Sequence, residues 1–139
     1  MYEEVRFVMI SQTTDYALRA LVYLTENRSR SPILASEIAR KAGIPKNYLS
    51  KLLHGLKRAG YLDANRGKTG GYRLAVDPQQ ISLADILAHF EGRNALQGCF
   101  IGRTACRREQ PCGAHKRWGP VAVQLRDFLD KTTLAEIAG

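Results

Sequence analysis

The stretch RGKTGGYRL, residues 66–74, constrains the fold most, because three glycines in five positions cannot form the interior of a helix. Tyr72 and Leu74 alternate with polar or small neighbours. Residues 61–75 are therefore expected as a short β-hairpin with a basic tip, Arg66 and Lys68, and with Arg73 on the return strand.

What precedes the hairpin gives it a context. In ASEIARKAGIPKNYLSKLLHGLKRAGYL, Ile38, Ala39 and Ala42 make one short amphipathic helix that Gly43 ends. Pro45 suits the first position of a second helix, whose buried face is Leu49, Leu52, Leu53 and Leu56 and whose stop is Gly60. Two helices joined by a tight glycine-containing turn and followed by a basic hairpin make a winged helix-turn-helix. The solvent face of the second helix carries Asn47, Ser50, Lys51, His54 and Lys57. For one helix alone this is an ordinary solvated face. With the turn, the wing and a net charge of +8, it reads as a surface for double-stranded DNA: helix in the major groove, hairpin tip on phosphate or minor groove.

The remaining segments complete a fold that is mainly α with a small β-hairpin wing. Residues 13–25 read as a helix with Thr13 or Thr14 as cap, Asp15 in its first turn, and Tyr16, Leu18, Leu21 and Val22 as apolar surface. Ser82 and Asp85 start another helix, carrying Leu83, Ile86, Leu87 and Phe90. A closing helix runs through PVAVQLRDFLDKTTLAEIA, with Trp118, Val121, Leu125, Phe128 and Thr132 at three-and-four spacing. Pro120 should either start that helix or kink it. The seam suits a dimerisation helix; the alternative is that it packs on its own chain. The expected division is a DNA-binding domain over 9–92, a cysteine-rich loop over 93–117, and a dimerisation helix with tail over 118–139.

No apolar run is long enough to span a bilayer, and the first ten residues are not a signal peptide, so a reducing cytoplasm is expected. An odd cysteine count there speaks for metal binding or redox chemistry rather than a disulfide framework. All three cysteines fall in GCFIGRTACRREQPCGAHKRW. Three thiolates with one nitrogen or oxygen ligand can hold zinc or an iron–sulfur cluster. Six residues separate Cys99 from Cys106 and five separate Cys106 from Cys112, too far apart for a zinc knuckle and better suited to a loop around a larger object. Arg103, Arg107 and Arg108 offset the negative charge of such a site. No C-x-x-C pair, Ser/His/Asp set or phosphate loop is present, so an enzyme is the weakest reading.

The stretches TDYALRALVYL, EIARKAGIP, YLSKLLHGLKRAGYL, RGKTGGYRLA, ISLADIL and TTLAEIA resemble the IscR/NsrR-like family of bacterial winged-helix iron–sulfur transcription regulators. The resemblance runs from about Met9, which makes residues 1–8 an extension or an upstream start. It implies a homodimer whose C-terminal helices cross-pair, and a dimer with two-fold symmetry is expected on an inverted-repeat operator. It also implies that Asn47, Tyr48, Ser50, Lys51 and Arg66 lie at or beside the DNA. His115, three residues after Cys112, looks like the histidine that completes a 2Fe–2S site. Asp15 lies where the other type supplies an aspartate to the partner subunit's 4Fe–4S cluster. The fourth ligand therefore stays open, with Asp15 as a helix-dipole partner and His115 as a polar loop residue on the plain reading. The alternative function is a cluster-free regulator, thiol-based or zinc-stabilised.

Overall fold

The computed structural model describes residues 10–92 and 111–139. Its elements, in order, are α1 (Gln12–Glu26), α2 (Ala35–Ala42), α3 (Lys46–Arg58), β1 (Leu62–Asn65), β2 (Gly71–Leu74), α4 (Leu83–Glu91), α5 (His115–Lys131) and α6 (Leu134–Ala138). Single 3-10 turns follow α1 and precede α4. The mainly helical fold with one hairpin is the one expected. No helix among the described residues is long and apolar enough to cross a membrane.

Helix α1 starts earlier than expected. Its cap is Ser11, an extended residue whose hydroxyl accepts from the Thr14 N–H, so neither Thr13 nor Thr14 is the cap. Thr14 is fully buried and donates its hydroxyl to Glu91 at 2.7 Å, a partner that local sequence cannot reveal. Gly43, in the left-handed region at φ 69°, ends α2. Pro45 flanks α3 rather than opening it, and the helix begins at Lys46. Its buried residues are the four expected leucines, Leu49, Leu52, Leu53 and Leu56. Burying each stabilises the fold by roughly 1.5–3 kcal/mol, which fixes which side of α3 faces solvent.

The strands are antiparallel, with Leu62 opposite Leu74, Asp63 opposite Arg73, Ala64 opposite Tyr72 and Asn65 opposite Gly71. On its other edge β2 pairs with the single residue Ile33: the Ile33 N–H donates to the Tyr72 carbonyl at 2.9 Å and the Tyr72 N–H to the Ile33 carbonyl at 2.8 Å. That approach requires glycine at 71, where φ is 139° and a Cβ would enter the Ile33 backbone. The wing is thereby sewn to the chain just before α2.

Ser82 and Asp85 form the expected capping box at the start of α4. In the C-terminal region one of two alternatives falls away and one expectation is overturned. Helix α5 begins at His115, well before Pro120, and carries the proline inside it. Pro120 is the sixth residue of α5, so a helix start there is excluded; its missing donor removes one bond in the second turn and the helix runs on. The helix then ends at Thr132, where the backbone becomes extended, and Thr133 caps α6 by accepting from the Glu136 N–H. The sequence taken as one closing helix is two. Leu134 N–H donates to Ile81 O at 2.8 Å and Leu83 N–H to Thr132 O at 2.9 Å, which turns α6 back onto α1. Leu134 joins Leu21, Leu24, Ile38, Leu49, Leu53, Leu56, Leu62, Ile81 and Ile86 in the main core. Leu83 and Leu87 of α4 meet Leu125 and Leu129 of α5 in a smaller one.

Candidate nucleic-acid interface and cysteine site

The outer face of α3 is built from the residues its leucine pattern leaves over. Asn47, Tyr48, Ser50, Lys51, His54 and Lys57 are all exposed. The helix sequence KNYLSKLLHGLKR holds three lysines, an arginine and no carboxylate, so its surface potential is positive. Ser50 donates its hydroxyl to the Lys46 carbonyl at 3.1 Å, leaving its oxygen lone pairs outward as acceptors. Arg66 and Lys68 are exposed at the hairpin tip, and Arg73 is exposed on β2 opposite Asp63. The fold thus presents every sequence-derived DNA contact to solvent on α3 or the wing.

Tyr48 differs from its neighbours on α3. Its hydroxyl is hydrogen-bonded to the Thr13 hydroxyl of α1, and its ring meets Tyr16 edge-to-face at 5.4 Å. Arg19 lies over the other ring of this pair, 5.7 Å from the Tyr16 centroid, and is ion-paired with Asp15 at 2.8 Å. Asp15 therefore sits in the first turn of α1 with a cation one turn on, an arrangement that satisfies the helix-dipole reading and leaves its carboxylate partly exposed.

Of the cysteine site, Cys112 and His115 are described. Cys99 and Cys106, with Arg103, Arg107 and Arg108, lie outside the described residues. Cys112 is buried, 7% exposed, on the turn that leads into α5, and its carbonyl accepts from the His115 N–H at 3.1 Å. His115 is the first residue of that helix. Thiol and imidazole thus share one turn at a helix N-terminus, where partial positive charge suits an anionic group. This pair fits a soft-metal or cluster ligand set by its chemistry. Among the described residues no three His, Cys, Asp or Glu side chains come together as a metal site.

Ser11, Thr13, Tyr16 and Glu91 were not singled out as functional residues from the sequence. Glu91, the last residue of α4, accepts from the Ser11 N–H at 2.8 Å and from the Thr14 hydroxyl. Hydrogen bonds from Ser11 and then Thr14 hold its carboxyl below the usual carboxylate range. The only signal in the sequence is a polar run, SQTTD, whose choice of cap is made by a residue far along the chain.

A helix-turn-helix with its basic helix exposed and a basic wing sewn beside it defines a DNA-binding transcription regulator. The chain belongs to the Rrf2 family: the family profile, described as an iron-dependent transcriptional regulator, matches residues 10–139. It is 32% identical to the transcriptional regulator NsrR of Bacillus licheniformis over 92% of this chain and 90% of that protein. Its fold is similar to that of CymR, the global cysteine regulator of B. subtilis, with a TM-score of 0.76 at 26% identity over 93% of this chain and 95% of that one. It is similar also to T. potens IscR, with a TM-score of 0.71 at 27% identity over 92% and 84%. The role these relatives carry is regulatory, not enzymatic.

Proposed function

We propose that the protein is a homodimeric regulator that binds an inverted-repeat operator and senses iron supply, redox state or nitric oxide through an iron–sulfur cluster. The ligands are Cys99, Cys106 and Cys112 with a fourth from His115, for a 2Fe–2S cluster, or from Asp15 of the partner subunit, for a 4Fe–4S cluster. The observation that carries this reading is the placement of Cys112 and His115 on one turn at the start of α5, just after the stretch of sequence that holds the chain's other two cysteines. When bound, the cluster supplies a labile group whose loss changes the charge and constraint of that loop. The protein's own part is to hold the thiols, to balance their charge with Arg103, Arg107 and Arg108, and to present α3 and the wing to DNA. Packing of α4 on α5 through Leu83, Leu87, Leu125 and Leu129 ties both ends of the loop to the DNA-binding core.

The likeness to CymR supports a second reading, a cluster-free regulator that responds through its thiols. Anaerobic purification with iron and sulfide counted per chain separates the two. Matching iron and sulfide with a brown chromophore is expected, and Cys99→Ala, Cys106→Ala or Cys112→Ala should each abolish it. A colourless protein free of iron and sulfide would leave the thiol reading, and normal iron in one variant would remove that cysteine from the site.

A further inference from the structure

The start of α1 is fastened on two sides. Toward α4, Glu91 takes the Ser11 N–H at 2.8 Å and the Thr14 hydroxyl at 2.7 Å on the same carboxylate oxygen. Toward α3, the Thr13 hydroxyl is bonded to that of Tyr48, and Tyr16 packs against the Tyr48 ring. Thr13 and Thr14 are adjacent on a helix, so they project about 100° apart and move as one body. Tyr48 lies between Asn47 and Ser50 on the exposed face of α3. Glu91 in turn is followed by Gly92 and then by the segment that carries Cys99.

We propose that Glu91 is a positioning residue for DNA recognition: its carboxylate fixes the start of α1 and, through the Thr13–Tyr48 pair, the setting of α3. A change at the cysteine loop is thereby felt as a change in operator affinity. The proposal rests on the sensor reading above for the event that alters the loop, and on the hydrogen bonds alone for the route. The bonds to Ser11 and Tyr48 are solvent-exposed, which suits contacts made in one state and released in another. A tether that only holds the fold would have the same geometry and transmit nothing.

The test uses the full chain and duplexes that the wild-type protein selects from a random pool. Affinity is measured after anaerobic loading with iron and sulfide and after chelation, and separately for reduced and peroxide-oxidised protein. The ratio between paired states reports coupling. Glu91→Ala and Thr13→Val are each expected to bring that ratio at least about fivefold closer to one, with iron per chain near wild type. Thr13→Val should do so with an unchanged thermal midpoint, whereas Glu91→Ala lowers the midpoint because buried Thr14 loses its acceptor. Glu91→Gln keeps an acceptor oxygen and should retain most of the ratio. An unchanged ratio in both Glu91→Ala and Thr13→Val overturns the proposal. If Glu91→Ala does not fold, Thr13→Val decides alone. A wild type without iron that still distinguishes reduced from oxidised thiols refutes the cluster reading and leaves this proposal to be judged on the second ratio. A wild type with one affinity in every state refutes it.

Discussion

Gly71, the first residue after the basic tip and the partner of Asn65 in the last pair of the hairpin, combines a steric demand with a conformational one. Its φ of 139° is closed to other residues, and the space a Cβ would need is filled by the Ile33 backbone. Gly71→Ala must strain that backbone, at about 1–3 kcal/mol, and loosen the two bonds between Ile33 and Tyr72, at about 0.5–1.5 kcal/mol each. A loss of at least about 2 kcal/mol is expected in urea unfolding. Gly67 is the control: its φ is 100° but nothing lies near its missing Cβ, so alanine there meets backbone strain alone. Equal losses at both positions would show that the Ile33 pairing contributes little. The glycine cluster announced a hairpin in the sequence, but Ile33 as its third partner did not show, because a one-residue bridge leaves no pattern to read.

Among the elements, α5 buries less apolar surface than it carries. Ala122 and Leu129, seven residues apart, are buried on one side of the helix. Val121 and Phe128, also seven apart and about 100° round, are 48% and 53% exposed. Leu125, between the two pairs, is shared with α4. The stripe read from the sequence thus combines a side covered by α4 with a side that stays exposed, and it is this exposed side that we propose meets a second copy. Val121→Glu with Phe128→Lys is expected to give monomers in sedimentation while leaving the far-ultraviolet spectrum unchanged. A dimer that survives would place the interface elsewhere. The helix-turn-helix, hairpin and capping box were legible because their signals are local: leucine spacing, glycine clusters and a serine three places before an aspartate. The cap at Ser11 and the break at Thr132 were not, since each is decided by hydrogen bonds to α4.

For the whole molecule, two copies related by a two-fold axis would present two α3 helices and two wings to one duplex. An inverted repeat with half-sites about 34 Å apart, or a multiple, is the expected target by footprinting. Lys68→Ala should weaken binding to all sequences alike and reduce the salt slope by about one unit, whereas Lys51→Ala should shift base preference by roughly 1–3 kcal/mol. A preference shift from the wing variant alone would invert these roles. The return of α6 has a consequence for how such a regulator comes into being. Leu134 completes the core that α1 begins, and Ile81 and Leu83 are hydrogen-bonded to the segment around it. While a ribosome is still making α5, the nascent chain already has its recognition helix and wing but lacks a wall of the core that holds them. Contacts this distant in sequence close last and slowly. Fragments from interrupted translation that end before Leu134 would therefore lack a finished domain with which to occupy operators, and regulation is left to complete chains.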